Sequence, residues 1–559
     1  MNQQTPILLS DEQVQRYIAD GYIIIDSNLD PSFHASVTEQ VSYALENEIP
    51  HPGDNIVPRV PALNTVCEAP AVRGALISLL GNQFAFLPHR FPHNSEPLGE
   101  DQAIEVDAFD SQPTMAKGSI SASGWHQDGH ASSGRSCWHT FRASNVFYFP
   151  HDTPLQMGPT RFLAGSHLYA TLHDLGAEQA VMHMIPAGSV VIADFNLGHA
   201  GTPNNSDRGR YMVKFVALRT QAPVTPTWDN QDITWHTPVD LSTPHDLPAA
   251  WTSLWNWLRG ADRSAGITVP EGQDLQRLLV GIASASQQDR LSCLYDAAAI
   301  GAPAVNGLID ALLQTAGLDK HKGPADPRHK AHFGMSTDHL DRFFVERQFM
   351  PEDVAIALGA IGAPAVPQLV ELLHHEDPWI RLNAVYALGD AGPKAVGAHI
   401  DDVGALLGDP EGCVIRVTLD ALCALGTFGP QTIKQLRRFL AKDIPGSDES
   451  ADDKPLLTML NQIRYLSAVA LLTWVSNEDS PSMDVEAALV DTLDDENAYP
   501  PLIACLALER LGSLDAMRAA IHYLRVRCWD SAQNTRAALS GAWTKEHRKA
   551  TLARLAASL

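Results

Sequence analysis

The chain has 559 residues, of which 45% are hydrophobic and 19% are charged, a composition that is ordinary for a folded globular protein. Its formal net charge of −25 argues against sequence-independent binding to nucleic acid or to anionic membranes. The longest apolar runs are too short to span a bilayer, the first residues lack the features of a secretory signal, and the seven cysteines include no C-x-x-C pair. These features predict a cytoplasmic protein with reduced thiols and without a nucleic-acid or membrane partner.

The first part of the chain is rich in Gly, Pro, His and aromatic residues, which predicts a β-rich domain with some helix. It opens with a predicted helix over residues 10–21, for which Ser10 fits the N-cap and Gly21 fits the C-terminal cap. Short β-branched or aromatic runs bounded by turn residues then predict strands. These runs cover residues 21–25, 145–149, 189–195 and 211–218.

A long connection separates this part from the rest of the chain. Residues 221–247 are rich in Pro and Thr and have no clear period, which predicts a surface segment. The Trp-rich stretch 247–260 then predicts a helix, which we expect to pack the two parts of the chain together. We place the boundary near residue 263, so that the predicted domains are 1–263 and 264–559.

From about residue 270 the chain is rich in Ala and Leu, and it repeats. ALGAIGAPAV at 357–366 recurs as ALGDAGPKAV at 387–396, and ALGTFGP at 424–430 matches the same pattern. Helical units with a period of 30 to 40 residues are typical of an α-solenoid, in which Gly ends one helix and Pro begins the next. The units resemble HEAT repeats. Such an array serves either as a surface that presents a protein substrate or partner, or as a rigid buttress that shapes the active-site entrance or mediates self-association. We favour the second.

A His-rich segment, residues 315–347, interrupts the repeats. The spacing of its His and Asp residues matches no known set of metal ligands, so a solvated insertion or a degenerate repeat is favoured over a metal site. The residues in question are His321, His329, His332, His339, Asp326 and Asp338.

The strongest chemical signal lies in the first domain. The segment GWHQDGH at 124–130 contains His126 and Asp128, and His199 follows a predicted strand much later. Two histidines and one carboxylate are the ligand set of the facial triad that holds non-haem Fe(II) and leaves positions open for other ligands. His126 and Asp128 are two residues apart, so on an extended segment their side chains share a face. A barrel or a two-sheet sandwich would bring His199 from another strand.

A basic residue follows the second histidine at the start of a predicted strand. Arg210 lies eleven residues after His199, and a guanidinium group there can pair bidentately with a distant carboxylate. We expect this strand to form a hairpin with strand 189–195. Because side chains alternate along a strand, Lys214 is predicted to share the inward face with Arg210.

The motifs that link these residues resemble the phytanoyl-CoA dioxygenase family, a branch of the Fe(II)- and 2-oxoglutarate-dependent oxygenases. Trp-His-Gln-Asp at 125–128 is followed by a Gly-Pro-Thr-Arg-Phe-Leu-Ala-Gly-Ser-His segment at 158–167, and then by His199 and Arg210, in the family's order. The resemblance covers about residues 8–220. It implies a double-stranded β-helix (jelly roll) with flanking helices, followed here by the HEAT-like helical repeats.

The resemblance also implies roles for these residues. His126, Asp128 and His199 correspond to the iron ligands, and Arg210 corresponds to the residue that binds the C5 carboxylate of 2-oxoglutarate. Arg208 competes for that last role, but the eleven-residue distance from His199 favours Arg210. No further catalytic residue is implied.

The implied activity is that of an oxidoreductase, a dioxygenase that uses Fe(II), 2-oxoglutarate and O2 to hydroxylate a small-molecule substrate, with release of succinate and CO2. Halogenating relatives lack the carboxylate, so the presence of Asp128 favours hydroxylation. Gly201 stands where some relatives carry a hydroxyl residue, and one cofactor contact is therefore expected to be missing. Two alternatives stay open: hydroxylation of a protein side chain recruited by the repeats, and a catalytically silent barrel on an interaction scaffold.

Overall fold

The first part of the computed structural model is built from two antiparallel sheets, and the second part from helices. The model describes residues 5–47, 52–98, 125–128, 135–136, 138–170, 172, 175, 180–270, 274–317, 343–345, 348–444, 459–478, 482–495 and 499–527.

The first helix, α1 (Asp11–Asp20), begins and ends where the sequence predicts. The hydroxyl of Ser10 accepts a hydrogen bond from the N–H of Gln13, and the Gln13 side chain accepts one from the N–H of Ser10. This reciprocal capping box satisfies two donors at the helix start. Gly21 ends the helix with a φ of 82°, and a Cβ at this position would lie 2.5 Å from Nδ1 of His167. Only glycine fits such a turn.

The strands form two antiparallel sheets that together we call the barrel. In the large sheet the order is β1-β7-β4-β9-β2, and in the small sheet it is β6-β5-β8. The strands are β1 (Tyr22–Asp26), β2 (Ala85–Ser95), β4 (Ala143–Tyr148), β5 (Arg161–Leu163), β6 (Ala180–Met182), β7 (Ser189–Asp194), β8 (His199–Ala200) and β9 (Arg210–Leu218). The arrangement is consistent with the expected jelly roll.

The expected hairpin between the strands at 189–195 and 211–218 is wrong. Strand β4 lies between β7 and β9, because Val146 pairs with Ile192 on one side and with Phe215 on the other. The reason is that the chain leaves β7 for the small sheet, where it forms β8, before it returns to the large sheet as β9. The two strands are therefore close in sequence but not adjacent in the sheet.

The interior of the barrel is apolar away from the candidate site. Phe147, Val191 and Met212 of the large sheet pack in one cluster with Phe162 of the small sheet. Each strand of the large sheet turns every second side chain towards this interior. The register of β4 with β9, in which Phe147 pairs with Lys214, therefore sets which residues of β9 point inward.

Helices flank the barrel and join it to the second part. Helix α6 contacts both α1 and the later helix α8 (Gln287–Ile300), and the guanidinium carbons of Arg142 and Arg219 lie 5.2 and 5.0 Å from the ring centre of Trp257. The Trp-rich helix thus packs the two parts together, as expected. The flanking helices are α2 (Pro31–Asn47), α3 (Ile56–Arg59), α4 (Leu63–Glu68), α5 (Pro70–Leu80) and α6 (Pro248–Leu258).

The second part is mainly helical. Six of its helices, which we call the inner helices, pack each against the next in chain order. They are α8, α10 (Asp353–Ile361), α12 (Pro378–Ala391), α15 (Gly412–Leu425), α17 (Met459–Asn477) and α19 (Tyr499–Leu511). The others are α7 (Leu275–Ile282), α9 (Val305–Leu313), α11 (Val366–Leu372), α13 (Pro393–Val396), α14 (Ile400–Ala405), α16 (Pro430–Leu440), α18 (Met483–Thr492) and α20 (Leu514–Arg527).

No single helix within the described ranges is both long and apolar enough to cross a bilayer. Two pairs of helices pass that test of length and composition only when each pair is taken together, and both pairs are bent by more than 90°. The pairs are Gln287–Ile300 with Ala302–Leu313, at 115°, and Asp353–Ile361 with Ala363–Leu372, at 112°.

Buried ion pairs connect successive inner helices. An arginine near the start of one helix pairs with an aspartate at or just before the start of the next. The pairs are Arg290 with Asp353 at 3.2 Å, Arg381 with Asp409 at 2.7 Å, and Arg464 with Asp495. Such pairs fix the stagger of neighbouring helices, because an arginine left without its carboxylate would be a buried unpaired charge.

The inner helices contact residues directly before the strands β4 and β2 of the barrel. Arg142 donates hydrogen bonds to the main-chain oxygens of Gly389 on α12 and Ala424 on α15, at 3.3 and 3.2 Å. Farther along, Arg510 on α19 donates to the main-chain oxygen of Phe84 at 2.9 Å. A short hairpin from the second part also joins the first: β10 (Phe343–Val345) pairs with β11 (Gln348–Met350), and β11 pairs in parallel with β3 (Arg135–Ser136).

Candidate metal centre

The three predicted iron ligands come together at the end of the barrel. Nε2 of His126 and Nε2 of His199 lie 3.8 and 3.3 Å from the carboxylate oxygens of Asp128, and one ligand atom from each residue fits within a group whose members are all within 4.8 Å of one another. The side chains of Asp128 and His199 are buried, and that of His126 is 25% exposed. The site therefore opens on the side of His126.

Main-chain hydrogen bonds hold the two ligand-bearing segments together. The N–H groups of His126 and His199 each donate to the main-chain oxygen of the other residue, both at 3.1 Å, and the N–H of Asp128 donates to the oxygen of Phe195 at 3.2 Å. The His126 segment thus extends the small sheet beside β8. This pairing, rather than the spacing of the two residues alone, brings the rings of His126 and His199 together, with their centres 4.3 Å apart and their planes tilted by 50°.

The environment of His199 leaves the lone pair of its Nε2 available to a metal. Its Nδ1 lies 2.9 Å from the main-chain oxygen of Leu197, and since a carbonyl oxygen only accepts, Nδ1 carries the proton and Nε2 offers its lone pair. Burial, assisted by the neighbouring His126, lowers the pKa of His199 to about 3. The imidazole is therefore neutral at physiological pH, as a metal ligand must be.

Two residues hold the carboxylate of Asp128. The side-chain amide of Asn145 donates to Oδ2 of Asp128 at 2.9 Å, and the ammonium of Lys214 forms a buried ion pair with the same oxygen. The prediction that Lys214 points inward is confirmed. Sequence reasoning missed Asn145, although an amide within an otherwise apolar predicted strand is a signal that could have revealed it.

Arg210 lies on the same inward face of β9, four residues before Lys214. The residue is 6% exposed, and in the described part of the structure its Nε and Nη1 have no hydrogen-bond partner. Burial lowers its pKa to about 10, so it stays charged at neutral pH. Arg208, the competing candidate, lies in the preceding turn with 72% of its side chain exposed. The geometry therefore favours Arg210 over Arg208 as the residue that can bind a carboxylate inside the barrel.

The turn after His199 departs from the expectation in one respect. Gly201 carries no hydroxyl, but the next residue, Thr202, is 4% exposed. Its Oγ1 has no partner among the residues that the structure describes. A buried hydroxyl without a partner is costly unless a ligand satisfies it. Thr202 is a candidate to replace the contact that Gly201 lacks.

The donor set fits the expected groups. Two imidazole nitrogens and one carboxylate oxygen suit Fe(II) and leave part of its coordination sphere open. The guanidinium of Arg210, whose Nε and Nη1 have no partner among the described residues, suits the distal carboxylate of a bound 2-oxo diacid. No comparable set occurs elsewhere among the described residues. The six His and Asp residues of the segment at 315–347 lie outside the described residues.

The first part of the chain is similar to one known protein family. Residues 5–212 match the sequence model of the family described as phytanoyl-CoA dioxygenase (PhyH). Among curated protein sequences, none matches this chain.

Three of the similar solved structures are as follows. The "non-heme alpha ketoglutarate dependent epimerase SnoN from nogalamycin biosynthesis" is 18% identical, with 42% of this chain and 95% of that chain covered and a TM-score of 0.29. EctD from S. alaskensis with 2-oxoglutarate and 5-hydroxyectoine is 15% identical, with 44% and 90% covered and a TM-score of 0.30. The non-haem monooxygenase ThoJ in its Ni complex is 17% identical, with 40% and 84% covered and a TM-score of 0.26.

The family match and the His-Asp-His triad together confirm the expected cofactors, Fe(II) and 2-oxoglutarate. The helices after residue 275 lie outside the matched range. Within this chain, similarity to the family described as phytanoyl-CoA dioxygenase is therefore found over residues 5–212, the part that holds the triad.

Proposed function

We propose that this chain is an Fe(II)- and 2-oxoglutarate-dependent dioxygenase that hydroxylates a small-molecule substrate and releases succinate and CO2. The observation that carries the proposal is the convergence of His126, Asp128 and His199 in a barrel that also buries Arg210, whose Nε and Nη1 have no partner among the described residues. A metal triad alone suits many reactions, whereas a triad with a buried cation beside it suits a carboxylate co-substrate.

In this proposal different residues bind the metal and 2-oxoglutarate. His126, Asp128 and His199 bind the metal, and Arg210 binds the C5 carboxylate of 2-oxoglutarate. Bound iron would supply the activation of O2 that couples decarboxylation of the co-substrate to hydroxylation.

The protein's own contribution is orientation and the exclusion of water. The main-chain oxygen of Leu197 fixes the ring of His199, while Asn145 and Lys214 fix the carboxylate of Asp128. The apolar wall that includes Phe147 keeps water from the interior. Exclusion of water strengthens each electrostatic contact inside the site, and the fixed side chains hold the ligand atoms in position.

We propose further that residues 264–559 are an α-solenoid of HEAT-like repeats that buttresses an oxygenase unit at 1–263. The packing of the inner helices in chain order and the ion pairs between them support a repeat array. The inner helices contact the barrel, which supports a role of the repeats as a buttress rather than as a surface that recruits a protein substrate. The cytoplasmic location stays a prediction.

An anaerobic titration of the metal-free protein with Fe(II) and then 2-oxoglutarate tests the proposal, with the metal-to-ligand charge-transfer band as the signal. We expect a band in the wild type, none in Asp128→Ala, and a band in Arg210→Ala only at much higher 2-oxoglutarate. Arg208→Ala is the matched control, because Arg208 is exposed, and it should behave as the wild type does. The absence of a band in folded, iron-loaded wild type would refute the oxygenase assignment and favour the silent scaffold.

A further inference from the structure

We infer that Trp138 is a positioning residue through which the helical second part of the chain holds the metal-binding loop of the barrel. The inference rests on the proposed function, since it concerns the ligand Asp128. It goes beyond that function because it gives the helices a defined role in metal binding.

On one side, Trp138 is held by the inner helices. Its ring stacks on Tyr386 of α12 with the centres 4.5 Å apart and the planes 16° apart. Its Nε1–H donates to Oδ2 of Asp420 on α15 at 3.3 Å. The residue is 4% exposed. A stacked, hydrogen-bonded indole is fixed in both position and orientation.

The groove that receives the indole leaves no spare room. A Cβ at Gly389 of α12 would lie 2.9 Å from Cη2 of Trp138 and 2.9 Å from Cβ of Ala421 on α15. Real Cβ atoms do not approach other carbons so closely, so even one added methyl group would displace the ring or separate the two helices. Glycine within a helix is otherwise unfavourable relative to alanine, which indicates that this close contact is the reason for it.

On its other side, Trp138 reaches the metal site through two links. Its main-chain oxygen accepts a hydrogen bond from the Nδ2 of Asn196 at 3.2 Å. The preceding residue, Phe195, accepts the N–H of Asp128 at 3.2 Å and donates its own N–H to Ala143 at 3.1 Å. The helices therefore fix Trp138, Trp138 fixes the segment 195–196, and that segment fixes the backbone of a metal ligand.

A second contact between the two parts anchors the same region. Thr140 donates from its hydroxyl to Oδ1 of Asp390 at 3.0 Å, and Arg263 pairs with the other oxygen of that carboxylate at 2.7 Å. The loop that begins at Trp138 is thus tied to α12 at two points. Supporting contacts of this kind set ligand geometry, and their loss typically weakens metal binding about 10- to 100-fold.

Gly389→Ala in the full-length protein is the main test, with Mn(II) as the probe of metal affinity under anaerobic conditions. We expect at least about a tenfold loss of Mn(II) affinity and faster hydrogen exchange of the Asp128 amide. Gly404→Ala is the matched control. Its Cβ would lie 2.2 Å from Oγ1 of Thr432, so the substitution strains the contact between α14 and α16 without touching the barrel. It should lower stability and leave both signals at the wild-type level.

Trp138→Phe is a second variant, in case Gly389→Ala does not fold. It keeps an aromatic ring against Tyr386 but loses the bond to Asp420 and part of the contact with Arg142, so we expect a weaker effect of about threefold on Mn(II) affinity. Wild-type affinity and wild-type Asp128 exchange in a folded Gly389→Ala protein would overturn the inference. If the wild type itself binds no metal, the proposed function fails. The rate of hydrogen exchange of the Asp128 amide in Gly389→Ala, compared with the wild type, still tests whether the helices fix Asp128 through Trp138.

Discussion

Lys214 and Asp128 form an ion pair inside the barrel, where 7% and 5% of their side-chain surfaces are exposed. Oδ2 of Asp128 also accepts a hydrogen bond from Asn145 and lies 3.3 Å from Nε2 of His199. A divalent cation bound by His199 and Asp128 would share this carboxylate with the lysine ammonium. The two cations therefore compete for one anion in a region of low dielectric constant.

Lys214→Met is expected to destabilise the metal-free protein and to strengthen metal binding. Without the lysine, the buried carboxylate loses this ion pair, at a cost of about 3 kcal/mol, and a divalent cation would then bind the carboxylate without competition from the ammonium group. Urea unfolding with and without Mn(II) measures both effects. Lys214→Arg keeps the charge and serves as the control. If Mn(II) stabilises the wild type and Lys214→Met equally, the two cations do not compete.

Arg210→Met is expected to separate co-substrate binding from metal binding. Loss of a buried charge-assisted contact should weaken 2-oxoglutarate binding by about 100-fold, while Mn(II) affinity stays at the wild-type level. The free energy of unfolding of the metal-free protein should not fall, because Nε and Nη1 have no partner among the described residues. Calorimetric titration and urea unfolding check the two expectations, with exposed Arg208→Met as the control. A marked loss of stability in Arg210→Met would mean that the guanidinium has a structural partner.

The buried His167 should make the fold sensitive to acid. Its Nε2–H donates to the main-chain oxygen of Ile18 at 3.1 Å, and burial lowers its pKa from 6.5 to about 3. The unfolded chain therefore takes up a proton first as the pH falls, so stability is complete above pH 6.5 and declines below it. At pH 5 the loss from this one group is about 2 kcal/mol.

His167→Gln tests this expectation, because the amide can still donate to Ile18. Urea unfolding between pH 7.5 and pH 5 should show a smaller decline in the variant than in the wild type, and the values at pH 7.5 give the cost of the substitution itself. Some decline will persist, since burial also lowers the pKa of His34, His151, His183 and His245. Equal declines in the two proteins would show that His167 is not the titrating group.

A chain that ends at residue 263 is expected not to form a metal-binding barrel. Arg142 is buried against Trp138 and would lose its acceptors on Gly389 and Ala424. Circular dichroism and Mn(II) binding of the truncated chain check this. The control is a full-length chain cut at an inserted protease site within 271–273, which should stay associated and bind Mn(II). A folded truncated chain with wild-type affinity would show that the helices are dispensable.

Local signals in the sequence predicted local structure well. Ser10 and Gly21 marked the ends of α1 because caps depend on neighbouring residues alone. Strand alternation placed Lys214 inside the barrel for the same reason. The motif order also located the site, since the resemblance named all three residues that the structure brings together.

Contacts between distant parts of the chain could not be predicted from the sequence. Trp138 and Asp420 are separated by 282 positions, and nothing near Trp138 marks it as a link to a helix so far away. The oxygen that orients His199 belongs to the main chain of Leu197, which any residue could supply. The wrong hairpin has a similar cause, because adjacency in the sheet depends on the path that the whole chain takes between the two sheets.

The contacts between the inner helices and the barrel limit how the number of helical units can change. Arrays of similar helical units commonly gain or lose a unit with little consequence, because each unit meets only its neighbours. Here the main-chain oxygens of Gly389 and Ala424 both meet Arg142, and Arg510 meets the main chain of Phe84. Deleting or duplicating a unit between these contacts would move Arg510 away from Phe84. The distance between Arg142 and Phe84 therefore restricts the number of units between α12 and α19.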